Sequence, residues 1–200
     1  MMRITRLVLV APILVASCLS LTACLGGKKV PPTLLTLTSE APAPASVSRI
    51  AAAGEAVTID VPVVSKELAS TRVPALVGPT AVAYIKGLQW VDAPDKLFQD
   101  LLQETTVRTT SRVVLDPRQA SLDPGVSLTG TLTRFGYDSA TRAVIVRYDG
   151  ALASAGGARV ATRRFEASVP ADGTAASVGP ALNAAANQVA AEVASWVGGN

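Results

Sequence analysis

The chain has 200 residues, and histidine, the commonest general base and the commonest metal ligand, is absent. We therefore expect a protein that is not an enzyme and that binds no metal and no cofactor. The net charge is +3, but the first 23 residues contain two arginines and no acid, so the rest of the chain carries +1. A near-neutral chain with 4% aromatic residues lacks the concentrated basic surface of a nucleic-acid-binding protein.

The N-terminal segment has the pattern of an export signal. Arg3 and Arg6 precede an apolar run from Leu7 to Leu21. This run of roughly 15 residues matches a signal peptide, whereas a membrane-spanning helix needs about 20 apolar residues. The pattern predicts a signal peptide over residues 1–23.

The end of this segment predicts a lipid anchor. Leu21-Thr22-Ala23-Cys24 places an aliphatic residue and two small residues before a cysteine, which is the lipobox read by lipoprotein signal peptidase. We expect cleavage between Ala23 and Cys24 and lipidation of Cys24, with stable attachment because several acyl chains add about 0.8 kcal/mol per buried methylene. Leu25 follows where lipoproteins kept in the inner membrane often carry Asp, which favours the periplasmic face of the outer membrane. The alternative is a secreted protein in which Cys24 merely follows the cleavage site.

Residues 24–55 are predicted to contain the anchor, a tether, a first strand and a loop. The tether is the Gly, Lys and Pro-rich segment Leu25–Pro32, which has nothing to bury. Thr33–Thr38 alternates weakly and predicts the first strand. Ser39–Glu55 is rich in Ala, Pro and Ser without a helical or strand period, so we expect a mobile loop.

Residues 56–200 are predicted to form one domain without disulfides, because both cysteines lie in the export segment. Its first part predicts a strand over Ala56–Val61. Two more short strands, Val73–Val77 and Ala81–Ile85, flank the turn pair Gly78-Pro79 and are expected to form a hairpin.

A helix is predicted from Ala93 to about Thr109. Apolar residues recur there at helical spacing, with Asp92 as the expected N-cap and Pro94 in the first turn. Glu104 can reach Arg108 one turn later.

The second half of the domain predicts a meander and a long helix. A short strand at Arg112–Leu115 precedes three longer strands, which begin near Val126, Ala143 and Arg159 and are joined by turns that suit antiparallel pairing. The last helix begins at Asp172–Thr174, carries Gly179-Pro180 in its first turn and ends at Gly198-Gly199. We expect a single α+β domain, whose mixed, mostly antiparallel sheet ends in the meander and is covered by two main helices.

The order of these segments resembles the ABC-type transport auxiliary lipoprotein family, which includes the paraquat-inducible protein C-like lipoproteins. The resemblance covers almost all of the mature chain and ends in the Ala-rich last helix. It rests on four short segments: Leu34-Leu35-Thr36-Leu37, Val57-Thr58-Ile59-Asp60-Val61-Pro62, Gln89-Trp90-Val91-Asp92-Ala93-Pro94 and Leu132-Thr133-Arg134-Phe135.

The resemblance implies a periplasmic accessory subunit of a lipid (phospholipid) transport system. Its partners would be an ABC permease, an ATPase and a periplasmic subunit of the mammalian cell entry type, and a homo-oligomer is left open. The chain lacks a Walker-type phosphate loop and has no spanning helix after cleavage, so we expect other subunits to hydrolyse ATP and form the permease. The alternatives are a structural lipoprotein that assists outer-membrane or cell-wall assembly, and a hydrolase with an acid-only site.

A few residues are candidates for partner contact. Trp90 is either an interface residue or part of the core, because a large ring with a polar edge suits both. Among six meander arginines with few acids nearby in the sequence, Arg134 and Arg147 are candidate contacts for a partner or a headgroup; the alternative is a solvated face that protects a sheet edge. Helix capping explains Asp92 and Asp95 without a catalytic role.

Overall fold

The computed structural model describes residues 33–44, 48–123 and 125–199, which belong to one compact unit. Eight strands and two helices form it, together with two short 3-10 segments, Pro117–Leu122 and Ala155–Gly157. The strands and helices are β1 (Val57–Ile59), β2 (Val63–Val64), β3 (Arg72–Gly78), β4 (Ala81–Gln89), α1 (Pro94–Thr109), β5 (Val114–Leu115), β6 (Val126–Asp138), β7 (Ala143–Ser154), β8 (Arg159–Pro170) and α2 (Ala175–Gly198).

All eight strands belong to one mixed sheet, which confirms the predicted α+β class. β6, β7 and β8 form the predicted antiparallel meander. The other edge of β6 borders β1, β2 and β3 in turn, each in parallel. The predicted hairpin is confirmed by the antiparallel pair β3 and β4, and β5 adds a parallel edge strand to β1.

A glycine allows β3 to approach β6. A Cβ atom at Gly136 would lie 2.4 Å from the carbonyl oxygen of Pro74, which is on β3. Because the obstacle is backbone, a side chain at this position would force the two strands apart.

α1 begins one residue later than predicted. Its N-cap is Ala93 and makes no side-chain capping bond, so the prediction that Asp92 caps the helix is wrong. The Asp92 carboxylate instead accepts from the adjacent Ala93 N–H at 2.7 Å, one residue too early to reach the first helical turn. The predicted pair of Glu104 with Arg108 is present at 2.5 Å.

α2 is capped by Thr174, whose hydroxyl accepts from the Ser177 N–H at 3.3 Å. Gly179-Pro180 lies in the second turn of the helix rather than in the first, because the helix starts at Ala175. Five of the nine alanines of α2 are buried and allow it to pack closely against α1, β7 and β8.

A chain of six aromatic side chains runs through the core, with neighbouring ring centroids between 5.3 and 6.4 Å apart. Such contacts stabilise a core beyond the burial of area alone. The rings follow one another in the order Trp90, Phe135, Phe98, Tyr148, Phe165 and Trp196. Burial raises the pKa of the Tyr148 hydroxyl, which donates to the Thr129 carbonyl at 2.9 Å.

Residues 33–41, which we call the strap, do not form the predicted first strand. Their only strand-like contact in the described structure is a single parallel bridge between Leu35 and Trp90. Further along, the strap bonds to the helices: Ser39 Oγ lies 3.1 Å from Thr105 Oγ1, and the Ala41 carbonyl accepts from Arg108 at 2.8 Å.

The described part of the predicted loop, 39–44 and 48–55, contains neither helix nor strand. Arg49 nevertheless binds this loop to the end of α1. Its guanidinium donates to the carbonyls of Val107 and Thr110, and to the carbonyl of Arg112 at 3.0 Å. Among the described helices, none is long and apolar enough to cross a membrane.

Candidate functional site

The predicted anchor residues, Ala23 and Cys24, lie outside the described residues. The predicted signal peptide and tether lie there as well. Their roles remain predictions from the sequence.

Trp90 lies in the core of the structure. Its side chain is 1% exposed and stacks on Phe135 with a ring-centroid distance of 5.3 Å. Of the two alternatives for this residue, the structure therefore supports a core position. The ring is covered by the core and has almost no exposed surface for a partner to contact. The indole nitrogen is buried, and the described residues offer it no hydrogen-bond partner.

The face of the meander that points away from the helices carries rows of charge. Tyr148 and Phe165 point into the core, so the residues that alternate with them point outward. We call this surface the outer charged face and define it by three ion pairs: Arg134 with Asp138 at 2.7 Å, Arg164 with Asp149 at 2.6 Å, and Arg147 with Glu166.

The register of the strands places two of the pairs, whereas Arg134 and Asp138 both lie on β6. Glu166 is directly opposite Arg147 and Arg164 is directly opposite Asp149 across β7 and β8, while Arg134 is opposite Arg147 across β6 and β7. Few acids lie near these arginines in the sequence, but the folded protein places Arg134, Arg147 and Arg164 each beside a carboxylate. Opposite charges facing each other across strands stabilise a sheet.

The ion pairs lower the pKa of two carboxyls on this face. The Arg164 guanidinium donates to Asp149 and holds the pKa of that carboxyl below its usual value. The bond from Arg147 does the same for Glu166, and the charges of Arg164 and Arg134 add to it. Both acids are therefore ionised at neutral pH, and the face alternates positive and negative charge.

An open groove of about 670 Å³ lies on the same face. Its lining combines hydroxyls, small residues and charges with one exposed valine, and includes Val63, Thr129, Thr131, Asp149, Thr162 and Arg164. The hydroxyls and charges can make hydrogen bonds and ion pairs with a polar partner.

The remaining candidates do not assemble into a catalytic group. Asp92 bonds to the neighbouring backbone, and Asp95 lies in the first turn of α1. Within the residues that the structure describes, His, Cys, Asp and Glu side chains nowhere gather in a group of three that could hold a metal ion.

Two residues that bind the strap were missed by the sequence analysis. Asn183 and Asn187 lie one turn apart on α2 and accept from the Thr38 and Glu40 N–H groups at 2.9 and 2.8 Å. Asn187 also donates to the Thr38 carbonyl at 2.9 Å. The available signal was the presence of two amides at i, i+4 spacing in a helix that is otherwise largely apolar.

Comparison with known proteins identifies the family. The family model described as the ABC-type transport auxiliary lipoprotein component matches residues 35–194. No curated protein matches the chain.

Solved structures with a similar fold include protein XCC0632 from Xanthomonas campestris, assigned to family DUF330. It is 18% identical with a TM-score of 0.64, over 84% of this chain and 92% of that one. An uncharacterized protein is 16% identical with a TM-score of 0.57, over 75% of this chain and 94% of that one. At these identities the likeness bears on the fold alone.

The family match spans β1 to β8, both helices up to residue 194 and most of the strap. It agrees with the resemblance carried by the strap, the segment before α1 and the meander. The chain belongs to the family of ABC-type transport auxiliary lipoprotein components.

Proposed function

We propose that this protein is anchored through lipid on Cys24 to the periplasmic face of the outer membrane, as a non-enzymatic accessory subunit of an ABC-type lipid transport system. The observation that carries the proposal is the family match over residues 35–194. The lipobox at Leu21–Cys24 supports the anchor. The subunit that we expect it to meet is a periplasmic protein of the mammalian cell entry type.

The outer charged face is the surface that we propose for this contact. Arg134 and Arg147 are about one third exposed, at 34% and 33%, so each can exchange part of its pairing for a partner group. A guanidinium can donate to two acceptors at once. Alternating charges set the orientation and specificity of an interface more than its raw affinity.

Co-purification tests the proposal. The protein should be pulled from membranes solubilised in mild detergent, and the bound proteins identified by mass spectrometry. A subunit of the mammalian cell entry type, with its ATPase and permease, is the expected result. Repeated recovery of outer-membrane assembly factors or cell-wall enzymes instead would favour a structural envelope lipoprotein.

A matched pair of variants tests the surface. The double substitution Arg134→Ala and Arg147→Ala should reduce recovery of the partner because both cross-strand guanidinium groups are lost. The control is Arg118→Ala, which removes an exposed arginine from the 3-10 segment Pro117–Leu122. Equal recovery of the partner with both variants would contradict the outer charged face as the contact surface.

A further inference from the structure

The strap enters the domain beside two exposed apolar side chains. The Leu35 N–H donates to the Gln89 carbonyl, and the Val91 N–H donates to the Leu35 carbonyl, both at 2.8 Å. This pairing turns Leu35 and Trp90 toward the core, so the adjacent residues Leu34 and Val91 point outward on one face. Leu34 is 42% exposed and Val91 is 54% exposed.

The chain that precedes the strap is short. Only the segment 25–32 separates Cys24 from Thr33, and fully extended it spans roughly 30 Å. A compact domain of this length is roughly 40 Å across. A lipid on Cys24 would therefore keep the strap end of the domain close to the bilayer, while the opposite end is free to point away.

We propose that Leu34 and Val91 form a membrane-contacting patch that seats the strap end of the domain on the lipid surface. The inference rests on the proposed anchor at Cys24. Apolar side chains beside the point where the tether leaves are removed from water when that end meets the bilayer interface. Lys28 and Lys29, four and five residues after Cys24 in the sequence, add positive charge that anionic headgroups attract.

Seating would give the domain a fixed orientation. The strap is bonded to the end of β4 through Leu35 and to α2 through Asn183 and Asn187. Contact of the patch with the bilayer would therefore orient the rigid part of the domain and not merely a loose segment. A seated domain presents the same surfaces to the transporter continuously, whereas a domain on a free tether samples all orientations.

The absence of other cysteines provides the test, since Cys18 and Cys24 are the only two in the chain. Thr36→Cys places a single thiol on the exposed side of the strap, opposite Val91, and leaves the patch intact. Val160→Cys is the matched control: Val160 is 62% exposed and lies at the other end of the meander, opposite Ala153. Each full-length lipidated variant is labelled with a fluorophore and reconstituted in vesicles of phosphatidylethanolamine and phosphatidylglycerol that contain a nitroxide-labelled lipid.

The proposal predicts that the label at position 36 loses most of its emission to the nitroxide, while the label at position 160 keeps it. Equal quenching at the two positions would overturn the patch, because it would mean that the domain tumbles on its tether. Vesicle flotation distinguishes a failure of the patch from a failure of the anchor. Protein that floats without selective quenching contradicts only the patch, whereas protein that does not float contradicts the anchor and the patch together.

A second variant separates docking from simple proximity. Leu34→Ser combined with Val91→Ser, in the Thr36→Cys background, should lower the quenching at position 36, because the tether alone lets the strap end move up to about 30 Å from the bilayer. Both side chains are exposed, so we expect the fold to be kept, which circular dichroism checks. Unchanged quenching would show that the tether alone holds position 36 near the bilayer and would overturn the proposal.

Discussion

At the scale of single residues, two amides fix the strap to the domain. Asn187 accepts from the Glu40 N–H and donates to the Thr38 carbonyl, and it is 8% exposed. Its neighbour Asn183 donates to the Glu40 carboxylate at 3.0 Å. Because the strap has almost no strand pairing of its own, these bonds replace those that a sheet would provide.

Asn187→Ala should destabilise the domain by roughly 1–3 kcal/mol, because it removes two partly buried hydrogen bonds to the strap, one from the Glu40 N–H and one to the Thr38 carbonyl. The matched control is Gln188→Ala, on the exposed side of the same helix, where alanine has a slightly better helix propensity. Urea denaturation of the soluble domain measures both. Equal midpoints for the two variants would contradict the role given to Asn187.

The outer charged face predicts a dependence of stability on acid pH. The pKa of Asp149 in the folded protein is lowered, mainly by the bond from Arg164. Its stabilising effect is therefore present above the usual pKa of an aspartate, near 3.8, and is lost as the pH falls below that value. The contribution is small because the pair is partly exposed, with side-chain exposures of 64% and 33%.

Arg164→Ala should make stability less sensitive to pH between about 5 and 3 than it is in the parent protein. Arg159→Ala, at the start of the same strand, is the control, since none of the ion pairs among the described residues includes Arg159. Thermal unfolding across this pH range measures the effect. An Arg164 variant whose acid sensitivity equals that of the control would contradict the assignment.

At the scale of elements, Gly136 allows β3 to approach β6. Gly136→Ala should destabilise the domain by roughly 1–3 kcal/mol, because the new methyl group meets the Pro74 backbone and the strands must separate. Gly78→Ala is the control, since a Cβ there meets only the Ala81 side chain at 3.7 Å. Chemical denaturation measures the free energy of unfolding of both variants. A difference near zero between the two values would contradict this prediction.

Elements with long, regular patterns could be predicted from the sequence. The strands of the meander alternate over 12 or 13 residues and α2 keeps its apolar stripe over 24, so local pattern and tertiary packing agree there. The two-residue strand β2 has too few residues to show a period and was not predicted, whereas β5 lies within the predicted strand Arg112–Leu115. Their pairing with β6 and β1 is decided by tertiary contacts.

The strap shows the opposite case. Leu34-Leu35-Thr36-Leu37 resembles a strand, yet the backbone bonds of the strap go to Gln89 at the end of β4, to Val91 just after it, and to two asparagines more than 140 residues away. A pattern over four residues carries no information about such distant partners. The prediction of the α1 cap was wrong for a local reason. Asp92 and Pro94 suited a helix that starts one residue earlier, but the N-cap is Ala93.

At the scale of the whole molecule, the family and the class of fold could be predicted, whereas the surfaces could not. The arginines of the meander were visible in the sequence, but the pairing of Arg164 with Asp149 and of Arg147 with Glu166 depends on strand register. The aromatic residues were visible too, but only the fold shows that Trp90 belongs to the core chain of rings. Contacts across the sheet therefore could not be predicted from the sequence alone.

The anchor predicts how the whole molecule is distributed in the cell. Cys24→Ala should remove lipidation and release the domain into the soluble periplasm or leave an unprocessed precursor, because the remaining tether has nothing to bury. Fractionation with an antibody against the domain measures this, with Cys18→Ala as the control within the signal segment. Membrane-bound, normally processed Cys24→Ala protein would contradict the anchor.

The most direct test of the account is the mass of the mature N-terminal peptide, because the proposed location and the proposed accessory role both depend on the lipid. The account predicts a peptide that begins at Cys24 and carries diacylglycerol on its sulfur, with an acylated amine. A peptide with an unmodified Cys24, or one that begins at another residue, would contradict it.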